Sequence, residues 1–266
     1  MHTERMTISV LFLHGYRGTL PAAQVAAAFE RAGLAARVEA PIAPSGADRV
    51  DEFNPVGLPS WFRYLTDDWE IVPQPEDTIN HLDADACLHE PVLNGPSGAE
   101  SLWEAMDRLV AESGPTSVML AGESQGGIMA ALAAMEWNRR NPTAHLGHLG
   151  LVRTAPIRDT WRPRPPRWWT DPPSRWTTSP LRQHSLISIV LAERDQQFTP
   201  EHSIAALGPL LRANPLRFPE LGTLFHSPDG NSDLRIVMGA DHSSHQDRVL
   251  ATLAESAAAL RRSRGL

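Results

Sequence analysis

Helices covering both faces of a mostly parallel sheet, an α/β architecture, is what this sequence predicts. Short β-rich apolar runs alternate with longer stretches whose apolar residues recur at three- and four-residue spacing. The apolar runs are nearly continuous, as strands buried on both sides require. The 266 residues suffice for one sizeable core, so a single domain over 1–266 is expected.

The elements follow in order. Ser9-Val10-Leu11-Phe12-Leu13 is a first strand, and Ala22 to Ala32 a helix behind it. Ala99 to Ala111 is a second helix, leading into the strand Ser117 to Ala121. Gly126 to Asn138 is helical, and Leu149 to Arg153 and Leu186 to Val190 are strands. Glu201 to Arg212 is a further helix, Leu234 to Met238 a last strand and Gln246 to Arg261 a last helix. Two insertions interrupt the alternation, at about 41–96 and 156–180. The first is polar and acidic. The second interleaves Trp161, Trp168, Trp169 and Trp176 with arginines and prolines, which forbid regular helix, and its composition suits an acyl-chain lid, an arginine-bearing dock for an anionic substrate or partner, or a proline-stiffened cover.

Composition narrows the function. With 24 basic and 31 acidic residues the net charge is −7, which disfavours nucleic acid and anionic membrane surfaces as partners. The single cysteine, Cys87, cannot form an intrachain disulfide, and no run approaches the about 18 apolar residues of a membrane span. The apolar run Ile8 to Leu13 is too short for a signal peptide, so a cytoplasmic protein is expected. All the basic residues are arginine, which excludes lysine-based catalysis.

The strongest chemical signal is Gly122-Glu123-Ser124-Gln125-Gly126, between an expected strand and an expected helix. That context makes it a nucleophile elbow. Glycines two before and two after the serine let strand and helix approach, and the turn lifts the Ser124 hydroxyl clear of the sheet. The backbone N–H of Gln125, at the helix start, is an oxyanion donor. A serine hydroxyl is a weak nucleophile near neutral pH, so a histidine base and an orienting carboxylate should follow in the order Ser, Asp, His. His242, in the loop after the last strand, is the favoured base, with His245 competing. Asp195, in the turn-rich loop after Leu186 to Val190, is the favoured acid, with Glu193 two residues earlier also in reach. The loop Leu13-His14-Gly15-Tyr16-Arg17-Gly18 after the first strand supplies the second oxyanion donor, the Tyr16 N–H, and His14 is a structural hydrogen-bonding residue there. The acidic and histidine-bearing run His81-Leu82-Asp83-Ala84-Asp85 is better explained as solvated loop than as a metal site.

Four separated motifs together resemble the phospholipase/carboxylesterase group of α/β-hydrolases, which includes the acyl-protein thioesterases. They are Leu11-Phe12-Leu13-His14-Gly15, Pro59-Ser60-Trp61-Phe62, Gly122 to Gly127, and His242-Ser243-Ser244, with Asp195 ahead of a Thr-Pro completing the order. The resemblance spans nearly the whole chain. It implies an α/β-hydrolase fold, hydrolysis of esters or thioesters, and Trp61 at the pocket mouth as a substrate-binding residue. Two departures stand out. Glu123 occupies a place that is usually apolar in that group, where its carboxylate would alter substrate charge preference or pair with an arginine. The Trp/Arg/Pro insertion is longer than in the compact members. The opening Leu13 to Arg17 is also similar to a neighbouring group of small fungal-type serine hydrolases.

The expected protein is therefore a carboxylic ester or thioester hydrolase acting through an acyl-enzyme on Ser124, with a small-molecule or acyl substrate and no cofactor or metal. The alternative is a binding or sensor protein that keeps the fold without turnover.

Overall fold

The computed structural model describes residues 7–45, 50, 54–62, 100–154, 185–201, 203–204, 225–226 and 231–266. Most of the 41–96 insertion, with Cys87 and the His81 to Asp85 run, lies outside the described residues, as do the whole 156–180 insertion and the greater part of the 201–212 helix.

Among the described residues, seven strands form one sheet: β1 (Thr7–Leu13), β2 (Ala35–Glu39), β3 (Val118–Glu123), β4 (His148–Val152), β5 (Leu186–Ala192), β6 (Phe225–His226) and β7 (Ser232–Val237). Their spatial order is β2-β1-β3-β4-β5-β7-β6. Every pairing is parallel except that of β6, which runs antiparallel along β7 at the edge. The described α-helices that frame it are α1 (Ala22–Arg31), α2 (Leu102–Ser113), α3 (Gln125–Arg140) and α4 (Gln246–Ser263).

The strands expected from apolar runs are present with ends shifted by a few residues, and two others carry no such run. In β2 none of Ala35-Ala36-Arg37-Val38-Glu39 is fully buried. It is an edge strand held by its parallel register on β1, Thr7 opposite Ala35 through Leu11 opposite Glu39, so one face keeps charges. β6 is only two residues long. The start of α2 is displaced from Ala99 to Leu102 by a capping box: the Ser101 hydroxyl accepts from Glu104 N, and the Glu104 carboxylate accepts from Ser101 N at 2.8 Å.

Alternate residues of each strand feed two cores. Leu11, Leu13, Leu120, Leu149, Leu151, Ile187 and Ile189 pack with α2 and α3. Val10, Phe12, Met119, Ala121, Val152 and Val190 pack with α1 and α4 on the other side. The order reverses at β1 and β3, whose neighbours lead off in opposite directions; ligands bind outside the carboxyl ends of strands at such a switch point. Among the described residues no helix is long and apolar enough to cross a membrane.

Candidate active site

At the end of β3 the chain turns through Ser124 with φ 53° and ψ −122° before α3 begins at Gln125. Such a conformation costs a non-glycine residue on the order of 1–3 kcal/mol, and the surroundings hold it. The Ser124 N–H donates to Val152 O at 2.9 Å, and the Thr154 hydroxyl donates to Ser124 O at 2.8 Å. The flanking glycines are obligatory: a Cβ on Gly122 would lie 2.2 Å from Gly126 O, and one on Gly126 2.3 Å from Leu13 O. Both clashes are with backbone, which cannot give way.

Ser124, His242 and Asp195 meet above the carboxyl ends of β3, β7 and β5. The distance from His242 Nε2 to Ser124 Oγ is 3.0 Å, and from His242 Nδ1 to Asp195 Oδ2 it is 2.8 Å. Asp195 is buried, and its other oxygen, Oδ1, accepts the backbone N–H groups of Gln197 and Phe198, each at 2.9 Å. These two bonds fix the carboxylate so that Oδ2 faces the imidazole. The Phe198 ring lies beside that imidazole, with centroids 5.5 Å apart.

The competing residues are placed elsewhere. Glu193 accepts the Gly239 N–H at 2.6 Å, tying the end of β5 to the turn after β7. His245 is exposed, caps α4 in a left-handed conformation and bonds Ser244 Oγ at 2.9 Å. Asp241 organises the histidine loop: its Oδ1 accepts Ser243 N at 2.9 Å and Ser244 N at 2.8 Å. Those N–H donors hold its carboxyl down to about 2.

Tyr16 lies on the β1 exit loop and lines the same cavity as Ser124. Gly18 N donates to Gly15 O at 3.1 Å and Arg17 N to Pro59 O at 2.9 Å, closing a tight turn around it. His14 is structural: Nδ1–H donates to Gly15 O at 2.7 Å, and Nε2 accepts the Ala43 N–H at 2.9 Å. Burial pushes its pKa down, consistent with a neutral ring that must accept a hydrogen bond.

Trp61, which the resemblance places at the pocket mouth, packs beneath the β1 exit loop, against the His14 ring. It is fully buried and is not among the described residues lining the cavity at Ser124. An indole N–H needs a partner when buried, and that of Trp61 donates to His14 O at 2.8 Å. Gln125, expected to act through its backbone, is engaged through its side chain. Its Oε1 accepts Trp61 N at 2.8 Å, and its Nε2 donates to Phe62 O at 2.6 Å. Thus the His14-Gly15, Trp61-Phe62 and Ser124-Gln125 motifs brace one another.

Sequence reasoning missed Arg153. It is fully buried, and it pairs with Glu123, one of the two possibilities open for that carboxylate. The cavity, about 680 Å³, is lined by His14 to Leu20, Gln24, Glu123, Ser124, Gln197, His242, Ser243 and Gln246. Non-glycine residues with left-handed φ among the described ones are Arg17, Ser124, Arg153 and His245. All four sit on the loops around this site, where strain concentrates in functional centres.

No protein-family model matches the chain, and no curated protein sequence matches it. Solved structures do. Esterase PE8 is 19% identical, with 97% of this chain and 93% of that one covered and a TM-score of 0.56. SOBER1 of Arabidopsis thaliana is 19% identical over 96% of this chain and 98% of its own, with a TM-score of 0.53. Acyl-protein thioesterase 2 of Zea mays is 14% identical over 96% and 95%, with a TM-score of 0.50. With a parallel sheet of this order and an elbow serine at the carboxyl end of β3, the chain has the fold of an α/β-hydrolase.

Proposed function

We propose that the protein hydrolyses carboxylic esters or thioesters through an acyl-enzyme on Ser124. The observation that carries this reading is the continuous contact from Ser124 Oγ through the two nitrogens of His242 to Asp195. An esterase and an acyl-protein thioesterase among the similar structures support the substrate class.

In this mechanism His242 Nε2 takes the Ser124 proton as Oγ attacks the carbonyl carbon. The oxyanion is met by the backbone N–H groups of Gln125, at the start of α3, and Tyr16, on the β1 loop. Asp195 holds Nδ1–H and so keeps Nε2 as the acceptor; it stabilises the imidazolium without taking its proton. Collapse of the tetrahedral intermediate breaks the bond to the alcohol or thiol, which leaves with the proton from His242. Water then attacks the acyl-serine, gives its proton to His242 and releases the acid, and the proton returns to Ser124.

The test is a fluorophosphonate probe followed by peptide mass spectrometry, with a panel of esters and thioesters of varied chain length. Covalent mass on the Ser124 peptide and saturable turnover of a panel member are expected. An unlabelled Ser124 peptide with no turnover would leave the fold as a ligand-binding scaffold instead.

A further inference from the structure

We infer that Arg153 is a positioning residue that locks the His242 loop onto the nucleophile elbow, an inference resting on the hydrolase reading above. Arg153 follows β4 directly, and its backbone N–H donates to Val190 O at 2.7 Å. Its φ of 44° turns the side chain out of the strand path, and the guanidinium is wholly buried. Each of its four terminal N–H groups has an acceptor. Nη1 donates to the backbone carbonyls of Asp241 at 3.1 Å and Ser244 at 2.8 Å, the residues that bracket His242 and Ser243. Nη2 donates to Glu123 Oε1 and Gln246 Oε1. The ring of contacts closes where Gln246 Nε2 donates to Glu123 Oε2 at 2.7 Å.

Glu123 immediately precedes the nucleophile, Gln246 opens α4, and Asp241 and Ser244 flank the base. One planar cation therefore ties together the two segments whose separation sets the distance from Ser124 to His242. The neighbours of Arg153 complete the clamp, Val152 O accepting from Ser124 N and Thr154 donating to Ser124 O. Arginine suits this position because its rigid fork meets several acceptors in fixed directions, whereas a lysine ammonium on a flexible stem cannot. Glu123 explains how the cation is tolerated there: a buried guanidinium needs a paired charge. The departure from an apolar residue at that position is thus one half of a pair whose other half is Arg153. A base loop loosened by even about 1 Å can cost on the order of 100-fold in rate.

The test uses the charge-neutral double variant Glu123→Gln/Arg153→Met, which leaves no unpaired ion. Its melting temperature, steady-state kinetics on the best ester of the panel and rate of fluorophosphonate labelling are compared with wild type well below the melting range. Expected is a 10- to 100-fold fall in kcat and in labelling rate with KM within about twofold. Arg153→Lys, which keeps charge and most of the bulk, should fold and lose about three- to tenfold in kcat. Wild-type kcat and labelling in a folded double variant would overturn the inference, because a purely structural residue would lower only the melting temperature. An unfolded Arg153→Lys protein would also overturn it, assigning Arg153 to the core alone. Failure of the wild type itself to label or turn over is a different result and removes the hydrolase reading.

Discussion

Two histidine–serine pairs occupy opposite ends of the sheet. At the carboxyl end, His242 Nε2 meets Ser124 Oγ at 3.0 Å; at the amino end, His148 Nε2 meets Ser188 Oγ at 2.9 Å. By that distance alone they are equivalent. Everything around them differs. His242 is partly exposed on a cavity with a carboxylate behind it, and its serine sits in a strained turn at a helix start. His148 is wholly buried at the start of β4. Its serine is inside β5 and also accepts a hydrogen bond from Ser256 at 2.8 Å, and the charge that acts on the ring is the cation of Arg261. A contact between imidazole and hydroxyl makes a nucleophile only with an orienting anion and room for a substrate.

Removing each serine in turn is the sharpest way to break this comparison. Ser124→Ala should lower kcat on the order of 10⁶-fold with the fold intact. Ser188→Ala should leave kcat within about twofold and lower stability by about 1–2 kcal/mol, since it leaves a buried imidazole and hydroxyl short of a partner. Ester kinetics and urea melts on both variants decide the matter, and abolished turnover in a folded Ser188→Ala protein would contradict it.

Asp195→Asn should be next in size, about 10⁴-fold in kcat. The Gln197 and Phe198 N–H groups demand an oxygen at the Oδ1 position, so the amide nitrogen of asparagine must face His242. It donates to Nδ1, places the ring proton on Nε2 and takes away the base. A loss of less than tenfold in steady-state assays would show that the anion behind the imidazole does not separate the two pairs.

The upper pair was legible in the sequence because its geometry leaves local traces. The two glycines around Ser124 are dictated by backbone oxygens that a Cβ would meet at 2.2 and 2.3 Å, and chain order together with loop placement favoured His242 as base and Asp195 as acid. Arg153 left no such trace: its acceptors lie 30 to 93 residues away, and an arginine after a strand looks like any other. β2 escaped notice because an edge strand need not be apolar. Trp61 was legible as part of a motif, but not as a buried brace, since only the folded chain shows that its N–H is taken by His14.

The smallest expected effect concerns the lower pair and appears in stability, not turnover. Burial and the Arg261 charge push His148 down to about 3 from an ordinary 6.5. Below pH 6.5 the unfolded chain takes a proton at this residue that the native state refuses. The associated stability is therefore complete above about pH 6.5 and drains away as pH falls toward 3, by up to about 1.4 kcal/mol per pH unit. Between pH 7 and pH 4 the loss is on the order of 3 kcal/mol. His148→Met fills a similar volume without a titrating group and leaves Ser188 and Ser256 bonded to each other. Urea melts at the two pH values should show its stability falling less than that of wild type by about that amount, with kcat at pH 7 unchanged. Some acid sensitivity should persist, because burial lowers His14 in the same direction. Equal declines in both proteins would mean that the buried ring accepts its proton inside the fold, and burial would then no longer separate the His148–Ser188 pair from the His242–Ser124 pair.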